Sequence, residues 1–118
     1  MTIRLSLPIP PSANRYWRTY RNQTVVSADA KAYKAGVGWQ AKAVIREPLS
    51  CPIAVTLHVY RPAKRGDLDN YSKVLLDALN GVAYEDDGQI VEIHAYRHDD
   101  KSNPRVEVEI TERTNPNG

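Results

Sequence analysis

A single cysteine, Cys51, occurs in the chain, which excludes an internal disulfide framework and a cysteine-rich zinc site. The sequence therefore suits a reducing compartment, and Cys51 reads as a small buried apolar residue rather than a nucleophile. Also lacking is any run of about 20 apolar residues, the length a membrane-spanning helix needs. The N-terminus, Met1 to Leu5, alternates like a strand and has no apolar block of the signal-peptide kind. Neither secretion nor membrane insertion is expected, and the cytoplasm is the expected location. There is no Gly-rich phosphate loop, no Gly-x-Ser-x-Gly elbow and no Cys/His nucleophile motif. Charge of one sign is scarce too. A formal net charge of +2 gives no global field, so a charged partner must be held by local patches.

What remains is an ordinary globular composition. The chain has 118 residues, 42% hydrophobic and 25% charged, which suits one domain with a core of its own. A domain of residues 1–113 followed by a flexible tail, 114–118, is expected. Residues Ile3 to Leu7 alternate as a strand that Pro8, Pro10 and Pro11 terminate. Ser12 to Asn22 reads as a loop, and Thr24-Val25-Val26 as a short strand before Ser27, a good helix N-cap. Ala30, Tyr33, Val37, Ala41 and Val44 recur at helical spacing, with Asp29 in the first turn and Pro48 as the stop. Gly36 and Gly38 weaken that helix and suggest close packing.

Ile53, Val55, Leu57 and Val59 give the clearest strand alternation. Leu68, Leu75, Leu76 and Leu79 define a second helical face, closed by Asn80-Gly81 as a left-handed cap. Gln89 to Arg97 and Arg105 to Thr111 read as strands joined by a polar loop, hence a hairpin. The order strand, helix, strand, helix, strand, strand predicts a mixed sheet with helices packed on it, an α+β (mixed α/β) single domain.

Two basic clusters stand out. Arg15, Arg18 and Arg21 are interleaved with Tyr16, Trp17 and Tyr20, while Arg61, Lys64 and Arg65 precede an acidic stretch. Basic residues among aromatics can neutralise phosphates and stack on unpaired bases. On these clusters alone, a solvated, charge-balanced surface is the favoured reading.

The segment Arg65-Gly66-Asp67-Leu68-Asp69-Asn70-Tyr71-Ser72-Lys73 carries the strongest chemical signal. Asp67 and Asp69 sit two residues apart where a loop enters a helix, so both carboxylates can face one point. Lys73 follows one turn along the same face, and Asp86-Asp87 lies in a turn further on. Clustered carboxylates repel one another unless a cation offsets them. Magnesium fits, because it takes oxygen ligands and usually only one or two carboxylates plus substrate phosphates. Helix capping by Asp67 and Asp69, with Lys73 as an ion-pair partner, is the competing reading, and the spacing alone leaves both open. His58, His94 and His98 lack a third ligand and read as structural.

These residues resemble a known family. Arg65-Gly66-Asp67-Leu68-Asp69-Asn70, with Lys73 and Asp77, is similar to the metal-binding segment of the RusA family. Asp86-Asp87-Gly88-Gln89-Ile90 resembles the segment that supplies its third acidic residue. Pro10-Pro11-Ser12-Ala13-Asn14-Arg15-Tyr16-Trp17 resembles its N-terminal signature, and Val26-Ser27-Ala28 with Ala32-Tyr33 is also similar. The resemblance spans nearly the whole chain, in order. It implies a homodimeric, Mg2+-dependent endodeoxyribonuclease that resolves Holliday junctions by paired symmetric nicks in DNA recombination and repair, in a bacterium or phage. By position it implies that Asp67, Asp69 and Asp87 bind metal and that Lys73 takes part in catalysis. Of the acidic pair, the family pattern points to Asp87, and it leaves open whether Asp86 assists or only shapes the turn. Arg15, Arg18, Arg21, Lys64, Arg65, Tyr16 and Trp17 become candidates for DNA contact. The alternatives at this stage are a metal nuclease for other branched DNA and a non-catalytic DNA-binding module.

Overall fold

Nine consecutive residues, Ile53–Arg61, form the longest uninterrupted apolar alternation, and the fold is arranged around them as strand β4. Ile53, Val55, Leu57 and Val59 are fully buried on one side, whereas Thr56, His58 and Tyr60 on the other side are half-buried. A strand so patterned packs one face on a core and leaves the other polar. The computed structural model describes residues 2–11, 17–20, 23–62 and 68–113, of which 17–20 and 23–26 by their backbone course.

Strand β4 occupies the interior of a four-stranded mixed sheet. β1 (Thr2–Leu7), β5 (Ile90–Asp99) and β6 (Arg105–Glu112) complete it in the order β1-β6-β4-β5. β6 runs antiparallel to both β1 and β4, with Leu5 opposite Val108 and Leu57 opposite Val108. β5 runs parallel to β4, with Val55 opposite Ile93 and a register irregularity at Ile53/Ala54. Helices α1 (Ala28–Lys42) and α2 (Leu68–Leu79) pack over the apolar face. α1 lies against β1 and α2 against β4 and β5. A separate two-stranded ribbon, β2 (Trp17–Tyr20) with β3 (Gln23–Val26), precedes α1.

Local chemistry explains the helix ends. The Ser27 side chain accepts a hydrogen bond from the Ala30 N–H at 3.2 Å, as an N-cap should. Ala30, Tyr33, Val37 and Ala41 form the buried stripe of α1. Gly81 follows α2 with φ +83°, the left-handed conformation that glycine adopts without a Cβ clash.

Four sequence expectations need correction. The strands β5 and β6 are not a hairpin, because β4 lies between them and pairs with both. A polar link of five residues spans one intervening strand, about 10 Å, as easily as it closes a hairpin, so its length does not discriminate. The link is tied to the end of β4 by the Asp100 N–H bonding to the Arg61 carbonyl at 2.8 Å. Asp100 accepts from the Ser102 and Asn103 N–H groups, and the Asn103 bond does most to hold its carboxyl below the ordinary range. Second, Trp17–Tyr20 is a strand rather than loop, because four residues are too few for alternation to register. Third, Val44 is exposed: α1 ends at Lys42, and Ile45 turns into the core instead, its N–H bonding to the Ala41 carbonyl at 2.7 Å. Fourth, Gly36 and Gly38 mark no close approach, since a Cβ would meet nothing within 4 Å at the first and only Val82 at 3.9 Å at the second.

Arg61 also changes role. It is the last residue of β4, only 5% exposed, and both its Nε and Nη2 donate to Asp99 Oδ1, at 3.0 and 2.9 Å. It ties the ends of two parallel strands and does not belong to an exposed basic loop. Asp99→Ala should lower stability by about 1 to 2 kcal/mol, because a nearly buried guanidinium loses its charged acceptor while Asp99 itself is half solvated. Chemical denaturation of the two proteins checks this.

Candidate active site

The apolar stripe of α2 sets the orientation of its polar flank. Val74, Leu75, Ala78 and Leu79 are fully buried against the sheet, which turns Asp69 and Lys73 outward along the side facing β5. Asp69 lies in the first helical turn, where the positive end of the helix dipole favours a carboxylate. Leu68, Asp69, Lys73 and Leu76 line a groove with Ile93 and Ala95 of β5. The groove continues past Lys73 and Leu76 to Asp77, Asp87 and Ile90. Asp69 and Asp87, distant in sequence, thus line adjoining hollows that share Lys73, Leu76 and Ile93. Asp69, Asp87 and Lys73 are exposed, so neither carboxylate carries the cost of burial.

Asp87 is held by a short, heavily bonded turn. Residues Asp87–Gln89 form a single 3-10 turn whose cap, Asp86, accepts from the Gly88 N–H at 2.9 Å. The Gln89 side-chain oxygen accepts from the Asp86 N–H, and its amide donates to the Leu49 and Cys51 carbonyls at 2.7 and 2.9 Å. Asp86 is therefore engaged in shaping the turn, which leaves Asp87 on the groove side. Gly88 has a specific reason to lack a side chain: a Cβ there would sit 2.9 Å from Asp86 Oδ2.

Tyr84 links this turn to α2. Its side chain is fully buried, and its hydroxyl donates to the Leu76 carbonyl at 2.6 Å. Burial, and after it the charges of Asp87 and Asp77, push its ionisation far above the ordinary phenol range. The phenol thus stays neutral beneath an acidic edge. Asp77 is also within 3.7 Å of Lys34 on α1. Neither Tyr84 nor Ile93 emerges as a site residue from sequence, since each looks like an ordinary core position. The Asp86 to Gln89 spacing of a capping box was the one readable signal here.

Asp67, Arg15, Tyr16, Arg21, Lys64 and Arg65 lie outside the described residues. Trp17 and Arg18 fall on β2, where the backbone course alone is described. The three histidines lie on the opposite, helix-free face. His58 Nδ1 and His98 Nε2 share a hydrogen bond at 3.0 Å, and Tyr96 stacks on His58. His94 lies 3.6 Å from Glu92. A hollow on that face includes Glu107 and Glu109, but Arg105 and Arg4 pair with these carboxylates. It is thereby less suited to a cation than the groove beside α2.

Comparison with known proteins decides the family. A profile described as Endodeoxyribonuclease RusA matches residues 8–111. The chain is 36% identical over 117 residues to the crossover junction endodeoxyribonuclease RusA of Escherichia coli (strain K12), covering 97% of this chain and 98% of that protein. It is 35% identical to the corresponding protein of Shigella sonnei (strain Ss046) and 34% identical to that of Enterobacteria phage 82, with the same coverage. The chain belongs to the RusA family. It is an endonuclease, and the family is one of metal-dependent nucleases.

The RusA signature segments now have physical roles. The serine of Val26-Ser27-Ala28 caps α1. Tyr33 donates to the Pro8 carbonyl at 2.7 Å, anchoring the proline segment against the helix. Among the described residues, no three His, Cys, Asp or Glu side chains converge to hold a metal. Two exposed carboxylates bordering a groove nevertheless suit a hard cation that takes one or two carboxylates and completes its shell with water and substrate phosphate.

The Asp86–Gly88 contact yields a double-mutant test. Asp86→Ala and Gly88→Ala should each cost about 1 kcal/mol, the worth of a cap. The double variant should cost no more than Asp86→Ala alone, because both remove the same hydrogen bond. Urea unfolding of the four proteins measures the cycle.

Proposed function

We propose that the protein is a Mg2+-dependent crossover junction endodeoxyribonuclease, which resolves four-way DNA junctions by paired symmetric nicks as a homodimer in the cytoplasm of a bacterium or phage host, in recombination and repair. The observation that carries this reading is the groove between α2 and β5, where Asp69 and Asp87 flank Lys73. Full-length similarity to proteins named for junction cleavage supports the substrate.

In this reading Asp69 and Asp87, with Asp67 ahead of α2, hold the metal. When bound, magnesium supplies positive charge against the scissile phosphate and promotes hydrolysis. Lys73 places a second positive charge on the groove for the phosphate oxygens and for charge that gathers as the bond breaks. Gln89 and Asp86 keep the Asp87 turn rigid, so its carboxylate need not be ordered when DNA arrives. Arg15, Arg18, Arg21, Lys64 and Arg65 hold the DNA backbone, and Tyr16 and Trp17 stack on bases opened at the crossover. Two equivalent sites related by a two-fold axis suit a junction of the same symmetry.

A synthetic mobile four-way junction, with linear duplex as control, tests this. Wild-type protein should produce symmetric nicks in Mg2+ and none in a chelator. Asp69→Asn and Asp87→Asn should each reduce the rate by about 10²–10³-fold while retaining junction binding. Undiminished cutting by both variants would remove the groove from the chemistry. Junction binding without cutting in any metal would leave a binding module.

A further inference from the structure

We infer that the solvent face of α1 is a second DNA-contact surface, which takes an unpaired strand of the branched substrate: Trp39 stacks on a base while Lys31 and Lys42 hold its phosphates. This rests on the DNA substrate of the proposed function and extends it beyond the groove. Trp39 is 82% exposed, the most exposed large apolar residue among those described. Val37, two residues earlier, is fully buried. Two helical steps turn through about 200°, so the indole stands opposite the core and adds nothing to it. Ala35, Gly36 and Ala43, one turn away on either side, are too small to cover the ring. Gly36 has no packing reason to be glycine, since a Cβ there would meet nothing within 4 Å.

Charge selects the occupant. Residues 28–46 carry four basic side chains and one acidic, whereas the rest of the chain is net negative. Lys31, Lys34, Gly38 and Lys42 recur at intervals of three and four, which is one edge of the helix. Lys34 lies 3.7 Å from Asp77 of α2, and a Cβ on Gly38 would meet Val82, just past α2, at 3.9 Å. That edge is therefore turned toward α2, the helix that carries Asp69 and Lys73. A strand leaving the groove across α2 meets these lysines before it reaches Trp39.

Neither lysine is engaged by the fold. Lys31 and Lys42 are exposed, and neither joins an ion pair among the described residues. Lys42 suits the C-terminal end of the helix dipole, but Lys31 stands near the N-terminal end, where a cation opposes it. Helix stability therefore does not account for Lys31. Cations beside an exposed aromatic ring follow a single-stranded backbone and stack its bases, whatever their sequence. In a paired arm the base faces are already stacked on one another, so the indole selects an unpaired strand.

Fluorescence anisotropy of the full chain tests the inference with two labelled four-way junctions in a chelator, one fully paired and one with a single-stranded arm. Wild type should bind the second about 10-fold more tightly, within the range of one stacked base. Trp39→Ala should abolish that preference and Trp39→Phe retain most of it, with the urea midpoint of both unchanged. The double variant Lys31→Gln/Lys42→Gln should flatten the slope of log K against log salt for the second junction by about 1.4, the worth of two phosphate contacts on a single strand. Lys101→Gln, in the link between β5 and β6, should leave that slope unchanged. Trp39→Ala should still cut the fully paired junction in Mg2+ at the wild-type rate. A wild type without the preference, or a Trp39→Ala variant that keeps it, would overturn the inference, while cutting of the paired junction would leave the proposed function standing. Failure of wild type to bind either junction would overturn both.

Discussion

Burial of the α2 stripe against β4 is the contact on which the site depends. Val74, Leu75, Ala78 and Leu79 meet a sheet face formed by Ile53, Val55, Leu57 and Val59, all without solvent exposure. Replacing one such leucine by alanine typically costs about 2–5 kcal/mol, so the rotation of α2 about its axis is strongly fixed. Given that rotation, Asp69 and Lys73 project along the flank toward β5. The same hydrophobic contact that stabilises the domain therefore aims the polar side chains.

Electrostatics then divides the molecule into two faces. On the helix-free face, the acidic groups meet arginines: Arg4 with Glu109, Arg105 with Glu107, and Arg113, just past β6, with Glu92. Beside α2, Asp69 and Asp87 stand in solvent along a groove, and their turn and helix are held from beneath by Tyr84. Exposed ion pairs contribute little to stability. They matter here because they take the carboxylates of one face out of competition for a cation, while the groove carboxylates remain accessible.

The fold was legible wherever a period was long. β4 and α2 span nine and twelve residues, enough for alternation or a helical stripe to stand out, and Ser27 and Gly81 marked helix ends by chemistry peculiar to those positions. β2 spans only four residues, too few to separate from loop. The neighbour relation of β5 and β6 was illegible for another reason, since strand order depends on which strand is buried deepest and not on the length of the link. Within the site, Asp69, Lys73 and Asp87 came from the acidic spacing and a family resemblance; Asp69 and Asp87 line adjoining hollows, and Lys73 lines both. Tyr84 and Gln89 did not, because a buried tyrosine and a turn glutamine acquire meaning only once the Asp87 turn is folded against Leu49 and Leu76. Arg61 was misjudged as surface charge: its neighbours in sequence are basic, but its partner, Asp99, is reached only through the parallel register of β4 and β5.

The central claim is that the groove between α2 and β5 holds a divalent cation. Manganese titration followed by NMR line broadening tests it most directly, because paramagnetic broadening falls off steeply with distance and needs no substrate. Substoichiometric Mn2+ should broaden the amides of Asp69, Lys73 and Asp87 first, and competition by Mg2+ should restore them. Broadening centred instead on Glu92, Glu107 and Glu109, with Asp69 and Asp87 sharp, would place the metal on the opposite face and contradict the account.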